Sequence, residues 1–146
     1  MKKFLVALTL LSLGSSSAFA VQCSEKEYAP YFADGTRYID TGIFTTNDKS
    51  KVAIDKKSLL YDKATGMIDV WVIKQVINHK QVGLLKAKQK FDTKQHKVTT
   101  ITVTAYRCNG ESLGSESGNG KWNDIVPGSV DDMLVEDLKN LLKIKQ

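Results

Sequence analysis

The sequence predicts an α+β fold: an antiparallel β-sheet of five or six strands with one C-terminal amphipathic helix. Three observations carry this. Residues 36–108 are dominated by short runs of Val, Ile, Thr and Tyr separated by polar turns. Those turns are too short for the crossovers that parallel strands need, so neighbouring strands pair antiparallel. After Gly128 the apolar spacing changes from a strand period to a helical one, which places a helix last.

Residues 1–20 stand apart from that domain. Met1-Lys2-Lys3 is cationic, Phe4 to Leu13 is apolar, and Ala18-Phe19-Ala20 ends the stretch on a small-x-small pattern. These are the three parts of a secretory signal peptide, with cleavage expected between Ala20 and Val21. The apolar run is shorter than the about 20 residues a membrane-spanning helix needs. Gln22 before Cys23 fits lipidation poorly, so Cys23 is read as an ordinary thiol. The expected mature chain, residues 21–146, is one domain without a transmembrane segment. No Pro-rich, Gly-rich or repeated stretch divides it.

The strands follow in order. Thr36 to Thr45 contains Tyr38, Ile39, Ile43 and Phe44 and is broken at Gly42. Lys51 to Asp55 alternates polar and apolar; Ser58 to Tyr61 is a separate short piece before a turn at 62–66. Met67 to Ile77 is apolar on both parities, as expected of a central strand covered on each side. A turn at Asn78-His79-Lys80 leads to Val82 to Phe91. There Lys86, Lys88 and Lys90 fall on one face, opposite Leu85, Ala87, Gln89 and Phe91. After a turn at 92–96, Lys97 to Cys108 sets Val98, Thr100, Thr102, Thr104 and Tyr106 against Thr99, Ile101, Val103 and Ala105.

Asn109 to Gly120 reads as a mobile polar loop with at most a strand stub at Ser112-Leu113. Ser129 is then a good N-cap, with Asp132 in capping-box position and Asp131 beside it at the positive end of the helix dipole. Val130, Met133, Leu134, Leu138, Leu141 and Leu142 recur at helical spacing over about four turns.

Charge and cysteines bound the function. The whole chain carries a formal +5. Losing Lys2 and Lys3 leaves +3, too mild to imply nucleic acid, and an exported compartment argues against it too. Two cysteines, Cys23 and Cys108, enter an oxidising compartment, where two thiols usually pair; a Cys23–Cys108 bridge is the expectation and two free thiols the alternative.

No catalytic constellation is visible. His79 and His96 both sit in polar turns without a nucleophile signature, and no Cys/His pair has zinc-ligand spacing. No phosphate loop or calcium loop occurs. The expectation is therefore a protein that is not an enzyme, with no catalytic residue, no cofactor and no metal. The most suggestive surface feature is the Lys86-Lys88-Lys90 ladder. It is either a docking face for an acidic partner such as a sulfated glycan, or a solvated face, or charge that blunts an exposed sheet edge.

One stretch goes further. Lys121-Trp122-Asn123-Asp124-Ile125-Val126-Pro127-Gly128-Ser129 runs directly into the terminal helix, downstream of Val52 to Leu59 and of Val70-Trp71-Val72. In order and spacing these blocks resemble the surface-adhesin protein E family of Gram-negative bacteria, from about Tyr38 to the C-terminus. Trp122, Ile125, Pro127, Gly128 and Ser129 carry the most specific part. Physically, Pro127 and Gly128 make the turn and Ser129 caps the helix. Trp122 and Ile125 are expected to pack under that corner, and Trp71 in the core. The family often has an Asp-Cys pair and a cysteine near the end of the last helix. Here Asp92-Thr93 and the Lys143–Gln146 tail occupy those places.

The resemblance implies a small envelope protein, periplasmic or at the outer surface of a Gram-negative cell. It would act as a non-enzymatic adhesion module binding host extracellular-matrix or serum proteins, or another envelope protein. The alternative is a soluble periplasmic protein with an envelope-maintenance or small-ligand role that shares only the fold. The oligomeric state stays open.

Overall fold

The computed structural model describes residues 23–32, 37–45, 49–77 and 79–144. Cleavage at Ala20-Val21 therefore lies outside the described residues. The elements run α1 (Glu25–Phe32), β1 (Tyr38–Phe44), β2 (Lys51–Asp62), β3 (Met67–Gln75), β4 (Leu84–Asp92), β5 (Lys97–Tyr106), β6 (Ser112–Ser117), β7 (Asn123–Asp124) and α2 (Val130–Leu142). The six longer strands form one antiparallel meander in chain order. The short β7 pairs with β5 at Lys97 and Val98, beyond the stretch of β5 that β6 occupies. This is the α+β architecture that the strand and helix periods predict.

The main core lies between one sheet face and α2. Val52, Ile54, Ile68, Val70, Phe91 and Val98 pack there against Leu134, Val135 and Leu138. Phe91, Ile54 and Ile68 are fully buried, and each contributes about 1.5–3 kcal/mol through removal from water. The helix stripe is narrower than the spacing suggests. Met133 and Leu141 are exposed, while Val135, which the periodicity passes over, is fully buried.

Ser129 caps α2 as expected, its Oγ accepting from the Asp132 N–H at 3.2 Å. Asp132 returns an acceptor to the Gly128 N–H at 2.8 Å. At the other end Lys143 takes a left-handed conformation, and the Lys143 and Ile144 N–H groups close onto the Asn140 and Lys139 carbonyls.

Several expectations are corrected. Lys51–Asp55 and Ser58–Tyr61 belong to one strand, joined through a bulge. Ser58 bridges it: its Oγ donates to the Asp55 carbonyl and accepts from the Trp71 N–H. The bulge exchanges the faces, so Val52 and Ile54 before it and Leu59 and Tyr61 after it all reach the same core. In β5 a second irregularity at Ile101 breaks the even alternation. Val98 and Thr100 share a face with Val103 and Ala105, and Ile101 is left exposed. The polar loop expected at 109–120 contains a six-residue strand, β6.

The helix α1 was not anticipated. Ser24 and Glu27 form a capping box there: the Ser24 N–H and Oγ–H donate to Glu27 Oε2, and the Glu27 N–H reaches Ser24 Oγ. The helix covers one end of the opposite sheet face. Tyr28 packs there with Ala53, Ile73 and Leu84, and its hydroxyl is shared between the Val76 and Gly83 carbonyls at 3.0 and 3.1 Å. Cys23 and Cys108 are joined in a disulfide across this end, with Cα atoms 5.2 Å apart.

Candidate functional site

The strands place Lys86, Lys88 and Lys90 together on the face opposite α2, across from Ile73, Trp71 and Asp69 of β3. Since β4 lies between β3 and β5, the ladder is not on a sheet edge. Two of the three charges are engaged. Lys86 Nζ lies 5.0 Å from the centre of the Tyr31 ring and 4.8 Å from that of Tyr106, a double cation–π contact. Lys90 pairs with Asp69 at 3.6 Å. Lys88 has no ion-pair partner among the described residues. On the same face, the buried Asp55 is held by Arg37, whose Nη2 lies 2.8 Å from Oδ2. The face thus mixes paired and unpaired charge and stays net basic, with Lys88 the one lysine of the ladder lacking an ion-pair or cation–π partner among the described residues.

Trp71 stands on this face too, half-buried and away from the α2 core where it was expected. Ile125 does pack into that core, but Trp122 is exposed instead of lying under the corner. Both follow from topology. Trp71 has the parity opposite to Val70 and Val72 in β3, and Trp122 precedes the two-residue β7 at the rim of the sheet.

The histidines serve turns. His79 Nδ1 accepts from the Gln81 and Val82 N–H groups at 3.1 and 2.9 Å, and burial pulls its pKa below the ordinary imidazole range. His96 takes a positive φ and sets Nε2 3.3 Å from Asp132 Oδ1, beside the start of α2. Cys23, Glu27 and Cys108 come close enough together to suggest metal ligands. The two sulfurs, however, bond each other, and Glu27 is committed to the α1 cap.

A cleft of about 660 Å³ opens on the α2 face. The helix covers the half of the sheet around Ile68, Val70 and Phe91, leaving the half around Leu85, Ala87 and Val103 open. Val52, Val72, Ala87 and Val103 give an apolar floor. The walls come from the first turn of α2, at Val130 and Asp131, and from the end of β6 and the residues after it, at Ser117 to Asn119. That segment is held tightly. The Gly118 N–H donates to the Ile101 carbonyl at 2.8 Å, and a β-carbon on Gly118 would collide with the Thr100 carbonyl.

Asp131 is the polar group of most consequence in this cleft. Burial raises its carboxyl pKa, an effect that a hydrogen bond from the Gln89 side chain partly offsets. The Gln89 Oε1 is itself buried with no partner among the described residues. Individual residues mark this site weakly in the sequence: Asp131 reads as a helix-dipole acid and Gln89 as one polar position in a strand. Only the pairing of β4 with the helix start brings them together.

A six-stranded antiparallel meander backed by a C-terminal helix, with an open cleft at the helix start, defines a small α+β domain. The profile of the surface-adhesin protein E family matches residues 38–137, and the chain belongs to that family. The matched region takes in β1 to β7 and most of α2; α1 and Cys23 precede it. No curated protein and no solved structure gives a significant match.

Proposed function

We propose that this chain is an exported envelope protein that works without catalysis, by binding another protein. The observation that carries the reading is the cleft beside α2. It couples an apolar floor to a part-buried carboxylate, the makeup of a recognition site. Membership of an adhesin family supports a protein partner, such as a host extracellular-matrix or serum protein or another envelope protein. Export to the periplasm or outer surface of a Gram-negative cell is supported by the signal-like residues 1–20 and by the Cys23–Cys108 bridge, since such bridges persist in oxidising compartments. The lysine face supports docking of an acidic partner less well, because Lys86 and Lys90 already have partners.

The test has two arms. Protease is applied to intact cells, and the purified protein is applied to surfaces coated with matrix or serum proteins. Digestion in intact cells together with saturable binding is the expected result. Protection until the outer membrane is permeabilised, with no binding, would sink the adhesion reading.

The cleft also favours a second reading, a periplasmic small-ligand protein, because its volume falls within the roughly 300–1,000 Å³ of small-molecule pockets. Native mass spectrometry of protein from a periplasmic extract separates the two: a co-purifying small molecule would favour the second.

A further inference from the structure

We propose that the cleft beside α2 receives a basic side chain, lysine or arginine, from the partner polypeptide, with Asp131 as its counter-charge. The inference rests on the protein-binding reading above and names the chemistry of that same site.

Three other acids near the sheet are already engaged. Asp55 is held by Arg37, Asp69 by Lys90, and Asp132 by the Gly128 N–H and His96. Asp131 has no ion-pair partner among the described residues, although it is half-buried on the cleft wall. Removing a carboxylate from water without a cation is costly, and burial accordingly raises its pKa. A basic group entering the cleft supplies the missing charge.

Gln89 adds a second acceptor. Its amide faces Asp131, which leaves Oε1 buried without a partner. A modest turn of this amide presents that oxygen to the same incoming donor. The apolar floor at Val72, Ala87 and Val103 suits the aliphatic stem that both lysine and arginine carry below the charged head. Lys74 and Lys121 also border the cleft without pairing with Asp131, and Glu116, with no ion-pair partner among the described residues, adds a second acid there. The cleft is larger than one side chain requires, and its open side accommodates the flanking backbone of a polypeptide.

The test is an NMR titration of the full-length exported protein, labelled with ¹⁵N, using blocked tripeptides Ala-Arg-Ala, Ala-Lys-Ala and Ala-Glu-Ala, and free hexylamine. The Arg and Lys peptides should shift the amides of Ala87, Gln89, Thr100 and Val103, and the Glu peptide should leave them unmoved. Asp131→Asn should weaken binding at least about tenfold while the rest of the spectrum stays native. Gln89→Met, which keeps the charge, should weaken it less. Three results would overturn the proposal: no shifts with the basic peptides, equal binding by Asp131→Asn, or hexylamine binding as well as the peptides. If the cleft stays silent while the protein still binds coated matrix proteins, this inference fails and the protein-binding reading survives. Silence in both assays removes the reading itself.

Discussion

Gly83 lies against the sulfur of Cys23, with no room for a side-chain carbon between them. A β-carbon there would also press on Cys108 Sγ and its backbone nitrogen. Meanwhile the Gly83 N–H donates to the Tyr106 carbonyl and the Gly83 carbonyl accepts from Tyr28 Oη, so the backbone cannot back away freely. Gly83→Ala should therefore destabilise the protein by about 1–3 kcal/mol, the usual cost of overpacking. Urea denaturation measures this, and a wild-type midpoint would show that the contact is looser than described.

Removing the bridge itself should cost more. It closes a loop of 85 residues, for which chain entropy gives about 4.5 kcal/mol. The double variant Cys23→Ala, Cys108→Ala should lose stability of that order. Hydrogen exchange should accelerate first around Tyr28, because α1 is then held mainly by the Tyr28 hydroxyl and its apolar contacts. Uniform acceleration across the whole sheet would contradict this local picture.

The start of α2 should respond to its cap. Ser129→Ala removes the acceptor for the Asp132 N–H and should cost about 1 kcal/mol, within the range of N-cap losses. Ser129→Asp, which keeps an acceptor, should recover most of it. Thermal melts of the two variants give the comparison.

His79 makes stability depend on pH in a definite direction. Its folded pKa lies below the ordinary imidazole value because of burial, and Nδ1 already accepts two backbone N–H groups. The unfolded chain therefore takes up the proton more readily than the folded one. The stabilising contribution is complete above about pH 6.5, the unfolded value. It is lost as pH falls from there through the depressed folded pKa. His79→Asn should flatten the stability profile on the acid side of that pH. An unchanged slope between wild type and variant would refute the assignment.

Local chemistry made much of this fold legible. Apolar density on both parities in residues 67–75 and the lysine alternation in residues 84–92 marked β3 and β4, and Ser129 with Asp132 marked the helix start. The capping box at Ser24 and Glu27 is equally local and marks the start of α1. The bulges were less visible. A stretch that loses one step of pairing keeps an unbroken alternating pattern, so Thr99 to Val103 gave no sign that Ile101 slips out of register. Trp71 and Trp122 were misplaced because size and apolarity say that a side chain gains from burial, but not which face of a strand its neighbours cover.

By itself the sequence determined the sheet strands in outline except β6, the turns between them and the capped helix. These depend on side-chain period and on backbone preferences within a few residues. The tertiary structure decided the rest: that Cys23 meets Cys108 rather than remaining a free thiol, and that β4 lies inside the sheet. It also decided that a helix about 20 Å long covers only part of a six-stranded face, leaving Asp131 and Gln89 at an open cleft. The physical reason is distance along the chain. Asp131 and Gln89 are coupled only through the packing of α2 on β4, and no local pattern encodes how far one element reaches across another.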